Sequence, residues 1–135
     1  VKIEIDKVMD KAFIMADEKQ IRQACTNLIK NSYENITLNK IPEGHISICF
    51  GIENDFASIT ISDNGTGIDK SIISKILEPY YTTKVGNSGL GLAITKKIID
   101  DHNGIILIKP LKGSKGMSVT LKFPLISKLK KEKNK

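Results

Sequence analysis

Apolar and charged residues alternate from Lys2 to Asp6, which predicts a strand, and Ala12 to Met15 is a second short apolar run that stops at Asp17. Asp17 has the chemistry of a helix N-cap, and Gln20 three residues later completes a capping-box pattern. Ile21, Cys25, Leu28, Ile29 and Ser32 then recur at helical spacing, predicting a helix that runs to about Asn35. Pro42-Glu43-Gly44 breaks the chain. His45 to Phe50 alternates with Ile46, Ile48 and Phe50 on one face, and Phe56 to Ile61 alternates again after the turn Glu53-Asn54-Asp55. These two runs predict an antiparallel hairpin. Asp69 to Leu77 reads as a short helix and Glu78 to Ser88 as irregular. Gly89 to His102 reads as a helix with Leu90, Ile94 and Ile98 on one face, closed by Gly104. Two last strands are expected at Ile105–Lys109 and Met117–Phe123, with Pro124 ending the regular structure.

Composition bounds what such a chain can be. Its 135 residues suit one compact domain, and the 40% hydrophobic and 27% charged shares are ordinary for a globular protein. No apolar run approaches the roughly 20 residues of a membrane helix, and the opening VKIEIDKV lacks the pattern of a secretory signal. Cys25 falls in a helical pattern and Cys49 in a strand, without metal-site spacing; two buried, reduced cysteines are expected. The net charge of +6 raises nucleic-acid binding, but the tail from Lys128 holds five lysines against Glu132, so the body keeps only +2. With no aromatic residues interleaved among the lysines, no nucleic-acid partner is expected.

Three segments carry candidate chemistry. Gln23, Asn27 and Asn31 stand at four-residue intervals, on one line beside the apolar stripe of the first long helix. A half-buried carboxamide needs partners, whether these are structural or a ligand. DNGTGI puts Asp63 at a strand end before Gly65 and Gly67: the carboxylate can accept from an exocyclic amine and the glycines let a planar base approach, although Asn-Gly is equally a hairpin-turn signal. GNSGLGLA sets Gly86, Gly89 and Gly91 at a helix start, where free backbone N–H groups and the helix dipole can hold phosphate. An ordinary capped helix start has the same pattern. Lys84 just before it could neutralise phosphate charge, and Thr82 and Thr83 offer hydroxyls.

The order of the pieces is more specific than any one of them. An Asn-bearing helix (NLIKN), a DxGxG loop, an EPYYTTK segment and an SGLGLA helix start resemble the ATP-binding catalytic domain of sensor histidine kinases. That family shares a superfamily with gyrase, the ninety-kilodalton heat-shock chaperones and mismatch-repair ATPases. The likeness runs from about Asp17 to Pro124, and with the short lid between Lys84 and Gly89 it points to the nitrogen-regulation type.

The resemblance implies an α/β two-layer sandwich: a mixed, mainly antiparallel sheet with three helices on one face. Residues 1–125 would form the ATP-binding domain and 126–135 a disordered basic tail. It implies Asn31 as the Mg2+ ligand, Asn27 as a pocket residue and Asp63 as the adenine-recognition carboxylate. Gly65, Gly67 and Ile68 would border the base. Tyr80, Thr82, Thr83, Lys84, Gly86 and Ser88, Gly89, Leu90 and Gly91 would follow along the lid and phosphates. Asn27, Asn31 and Lys84 are the residues assigned to catalysis. Met117 stands where the family often has threonine.

ATPases of the superfamily carry a glutamate where Asn27 stands, as base for a water; a carboxamide cannot take a proton at neutral pH. Phosphoryl transfer to a nucleophile from elsewhere is therefore expected rather than hydrolysis. Neither His45 nor His102 lies in the phosphorylated helical box of the family. The implied partners are a phosphoacceptor dimerisation domain preceding Val1, making the parent a homodimer, and a response regulator. A cytoplasmic place is implied, with anchoring of the parent in the inner membrane left open. The competing readings are an anti-sigma protein kinase, an ATP-driven conformational clamp of the same superfamily, or a basic interaction module without nucleotide chemistry.

Overall fold

The computed structural model describes residues 1–7, 13–66, 91–110 and 116–126. Its elements in order are β1 (Lys2–Lys7), α1 (Glu18–Leu38), β2 (His45–Glu53), β3 (Phe56–Asp63), α2 (Gly91–Asp101), β4 (Ile105–Pro110) and β5 (Met117–Pro124). The strands form one sheet in the order β1-β2-β3-β5-β4. Only β1 and β2 run parallel, as the connection through α1 requires; the other neighbours are antiparallel. This is the expected mixed α/β sheet. Two helices stand among the described residues, and the third, expected at Asp69–Leu77, lies outside them.

One face of the sheet makes the core. Ile46 and Ile48 of β2, Ile61 of β3, and Val119, Leu121 and Phe123 of β5 form a buried cluster with Ala24, Leu28 and Ile36 of α1 and Ile98 and Ile99 of α2. Each valine, leucine, isoleucine or phenylalanine of this layer contributes about 1.5–3 kcal/mol when fully buried, so the layer fixes how α1 lies on the sheet. The opposite face is hydroxyl-rich, with Thr60 bonded to Thr120 and Ser62 donating to Ser118 across β3 and β5.

The termini of the helices depart from the local patterns in instructive ways. Asp17 caps α1, its Oδ1 accepting from the Gln20 amide at 3.2 Å. The return bond of a capping box is not with Gln20: the Asp17 N–H donates to His102 Nε2 at 3.0 Å, from the far end of α2. Because Nε2 accepts, the ring proton sits on Nδ1 and is donated to the Ile98 carbonyl at 2.7 Å. His102 also meets Phe123 edge to face, with ring centroids 6.4 Å apart. α1 runs on to Leu38, beyond the expected Asn35, because Ile36 continues the buried stripe. At the end of α2 the left-handed residue is Asn103 (φ 57°) rather than Gly104. Gly104 is required for another reason: a Cβ there would stand 2.5 Å from the Lys122 carbonyl oxygen.

Beyond β5, the Leu125 amide donates to the Asp55 carbonyl and the Ile126 amide to the Phe13 carbonyl. Leu125 also makes a bridge with Ile14, so the apolar run before α1 closes against the end of the last strand.

Candidate functional site

β3 ends at Asp63, whose side chain points into the helix-covered face, in the row that also holds Ile46 of β2 and Met117 of β5. Carboxylates are seldom buried without partners. Asp63 is 5% exposed, and its two oxygens are each given one donor. The Gly65 amide donates to Oδ1 at 3.0 Å and the Ser32 hydroxyl, from α1, donates to Oδ2 at 2.9 Å. Met117 lies directly across from Asp63, so an apolar thioether side chain stands beside the carboxylate in the sheet.

The loop after Asp63 is held by the same helix. Asn35, three residues after Ser32, accepts from the Thr66 amide at 3.0 Å through Oδ1 and donates through Nδ2 to Thr66 Oγ1 at 3.2 Å. Gly65 passes so close to this carboxamide that a Cβ would fall 1.9 Å from Asn35 Oδ1. The glycine thus serves close approach to a side chain of the protein itself, and its φ is not in the left-handed region. Asn64 turns the other way: its Oδ1 accepts from the His45 amide at 2.7 Å and its Nδ2 donates to the Glu43 carbonyl at 3.0 Å. Asp63-Asn64-Gly65 is therefore not a hairpin turn. The sheet neighbours of β3 are β2 before it and β5 far along the chain.

Asn27 and Asn31 are both half-buried on α1, and Gln23, a turn earlier, is exposed. Asn31 precedes Ser32 directly, so the helix turn that holds Asp63 also carries the expected metal ligand. Gly91 opens α2. Gly67, Ile68, Tyr80, Thr82, Thr83, Lys84, Gly86, Ser88, Gly89 and Leu90 lie outside the described residues.

Sequence reasoning missed Ser32 and Asn35 as site residues. Ser32 did leave a signal: a hydroxyl on the buried stripe of a helix has to find a partner.

The profile of the histidine kinase-, DNA gyrase B- and HSP90-like ATPases matches residues 16–127. The chain belongs to this family. Among the relatives of this domain, the putative NtrY-like sensor histidine kinase of Rickettsia typhi (strain ATCC VR-144 / Wilmington) is 35% identical over 120 residues. That match takes in 89% of this chain and 20% of the relative. Sporulation kinase B of Bacillus subtilis (strain 168) is 38% identical over 111 residues, covering 82% of this chain and 25% of the kinase. The chain thus spans about a fifth to a quarter of the length of these relatives. Among solved structures, the nucleotide-free catalytic domain of the histidine kinase ThkA superposes with a TM-score of 0.79 at 27% identity, over 91% of this chain and 78% of that one. ThkA in complex with the response regulator protein TrrA superposes with a TM-score of 0.74 at 25% identity, over 90% of this chain and 33% of that one.

Two further groups complete the electrostatics. Glu4 on β1 is exposed and its carboxyl is held below its ordinary value near 4.5, first by Lys2 and then by His45. Its oxygens lie 2.9 Å from Lys2 Nζ and 3.3 Å from His45 Nε2. Both cysteines are free and half-buried, not fully buried as expected; burial pushes the Cys25 thiol up from about 9.0.

Proposed function

We propose that this domain is the catalytic module of a two-component sensor histidine kinase. It holds Mg-ATP and presents the γ-phosphoryl group to a histidine on a separate dimerisation domain. The observation that carries this reading is the buried Asp63 carboxylate. Among the described residues each of its oxygens accepts one hydrogen bond, and the helix that donates to Oδ2 also bears Asn27 and Asn31. Its remaining lone pairs can accept from the 6-amino group of adenine.

The residues present fit a magnesium nucleotide. The Asn31 carboxamide supplies a hard, neutral oxygen, and Mg2+ takes most of its other ligands from phosphates and water. Bound there, the ion would neutralise charge on the phosphate oxygens. Asn27 cannot serve as a base for water at neutral pH, which favours transfer over hydrolysis. Lys84, with the backbone from Gly86 to Gly91, is assigned to the phosphates and Gly67, Ile68, Tyr80, Thr82 and Thr83 to the pocket rim, on the order of the motifs alone.

The acceptor is not supplied by this chain. Both ring nitrogens of His102 are engaged with backbone groups, and His45 faces Glu4. The likeness to ThkA, solved with a response regulator, supports a response regulator as the downstream partner. We extend the same reading to a homodimeric parent, with this domain on the cytoplasmic side. No described helix is long and apolar enough to cross a membrane. Incubation with γ-labelled ATP and Mg2+ tests the assignment. No stable label on the isolated chain is expected, and acid-labile label on His45 or His102 would overturn it.

A further inference from the structure

We infer that Ser32 is a positioning residue that gives the site its preference for the 6-amino group of the base, with Asn35 as its support one turn along α1. This rests on the assignment of Asp63 as the acceptor for adenine, and deepens it.

Asp63 sits in a row of apolar side chains on the helix-covered face of the sheet. Its sheet neighbours on that face are Ile46 and Met117, neither of which can donate a hydrogen bond to it. Among the described residues, two groups set the torsion of that carboxylate: the Gly65 amide on Oδ1 and the Ser32 hydroxyl on Oδ2. The Gly65 contact is local, two residues along the chain. Ser32 is 4% exposed and belongs to a different layer, so its bond to Oδ2 is what ties the plane of the carboxylate to the helix. With that bond made, the rotation of the group is fixed before any ligand arrives, which is the condition for a directional contact with an amine.

Asn35 secures the other donor. By holding both the amide and the hydroxyl of Thr66, it fixes the loop whose Gly65 amide meets Oδ1. Gly65 passes close against Asn35, leaving no room for a Cβ between the loop and the helix. One face of α1 therefore sets both oxygens of Asp63, one directly and one through the loop. Asn31, assigned to the metal, is the immediate neighbour of Ser32, so base selection and metal binding are laid out on one helical turn.

The test compares two ligands on each protein. Dissociation constants of the 135-residue chain are measured by calorimetry for ATP and for purine riboside triphosphate, which has hydrogen in place of the 6-amino group. The parent is expected to favour ATP by roughly tenfold or more, the range of a hydrogen bond to a charged group. In Ser32→Ala that preference should shrink by roughly threefold to tenfold, with affinity for the amine-free nucleotide changed by less than about twofold. Ser32→Thr, which keeps the hydroxyl, should restore the preference. Asn35→Ala should reduce it in the same direction.

Equal loss for both nucleotides in Ser32→Ala would show a merely structural serine and overturn the inference, as would an unchanged preference. A parent chain that binds both nucleotides equally, or neither, would instead remove the assignment of Asp63 and the inference with it. Should Ser32→Ala unfold, Ser32→Cys keeps the size with a weaker donor, and must give a preference between those of the parent and the amine-free limit.

Discussion

Helix α1 is tied to the rest of the domain at both ends by side chains distant in sequence, and the two ties are built to opposite ends. At its start the Asp17 amide reaches His102, 85 residues away, and that imidazole spends its second nitrogen on the Ile98 carbonyl. Nothing on the ring is left to offer a ligand. Toward its other end Ser32 reaches Asp63, 31 residues away, and there each carboxylate oxygen keeps lone pairs beyond the one bond it accepts from the described residues. A fully engaged imidazole suits a structural clasp, and a buried carboxylate with acceptor capacity to spare suits a binding group. The difference can be broken experimentally, because the first tie should govern stability without affinity and the second affinity above all.

The largest expected effect is at the second tie. Asp63→Asn replaces an acceptor by a group that must turn an NH2 toward either the Gly65 amide or the Ser32 hydroxyl, and nucleotide affinity should fall by about 1.5–3 kcal/mol, tenfold to a hundredfold or more. Calorimetric titration with Mg-ATP measures it. Gly65→Ala comes next: the new methyl meets Asn35 Oδ1, and the displaced loop should cost about 1–3 kcal/mol of stability together with nucleotide binding. Thermal unfolding and titration of the same sample would show both losses at once.

At the first tie, His102→Ala removes the acceptor of the Asp17 amide and the edge-to-face contact with Phe123. It should lower stability by about 1–2 kcal/mol, a drop of a few degrees in Tm, and leave ATP affinity within about twofold of the parent. A variant that lost affinity as well would dissolve the distinction between the two ties. The smallest effect belongs to Glu4, whose carboxyl is held low by Lys2 and His45. A depressed folded-state pKa contributes stability that is present above the ordinary value near 4.5 and is lost as the pH falls through the lower folded value. Because Glu4 is exposed, Glu4→Gln should change the acid limb of the unfolding profile only slightly and the neutral Tm not at all.

How legible this was depends on the range of each interaction. The strands were readable because Ile46 and Ile48, and Ala57, Ile59 and Ile61, repeat with the period of the pleat, and the core they predict is the core observed. The two asparagines and the strand-end aspartate could be picked out from local order. What the chain could not disclose locally were contacts that tertiary packing creates. Gln20 satisfied the capping-box pattern, yet the bond went to His102 because folding brings the end of α2 to the start of α1. Gly65 reads as a residue leaving room for a base, and its close approach to Asn35 is a contact that only the fold creates. Gly104 read as a left-handed cap, while Asn103 takes that conformation. Ser32 read as one more position of an apolar stripe, and only the depth at which Asp63 is buried explains why the stripe carries a hydroxyl there.

The central claim is that Asp63 and the asparagines of α1 serve a nucleotide that is held for transfer and not hydrolysed. Titrating the chain with ATP and Mg2+ while following phosphate release tests it most directly. Saturable one-to-one binding, lost in Asp63→Asn, with no steady release of phosphate is the predicted result. Steady turnover of ATP, or binding that Asp63→Asn leaves intact, would contradict it.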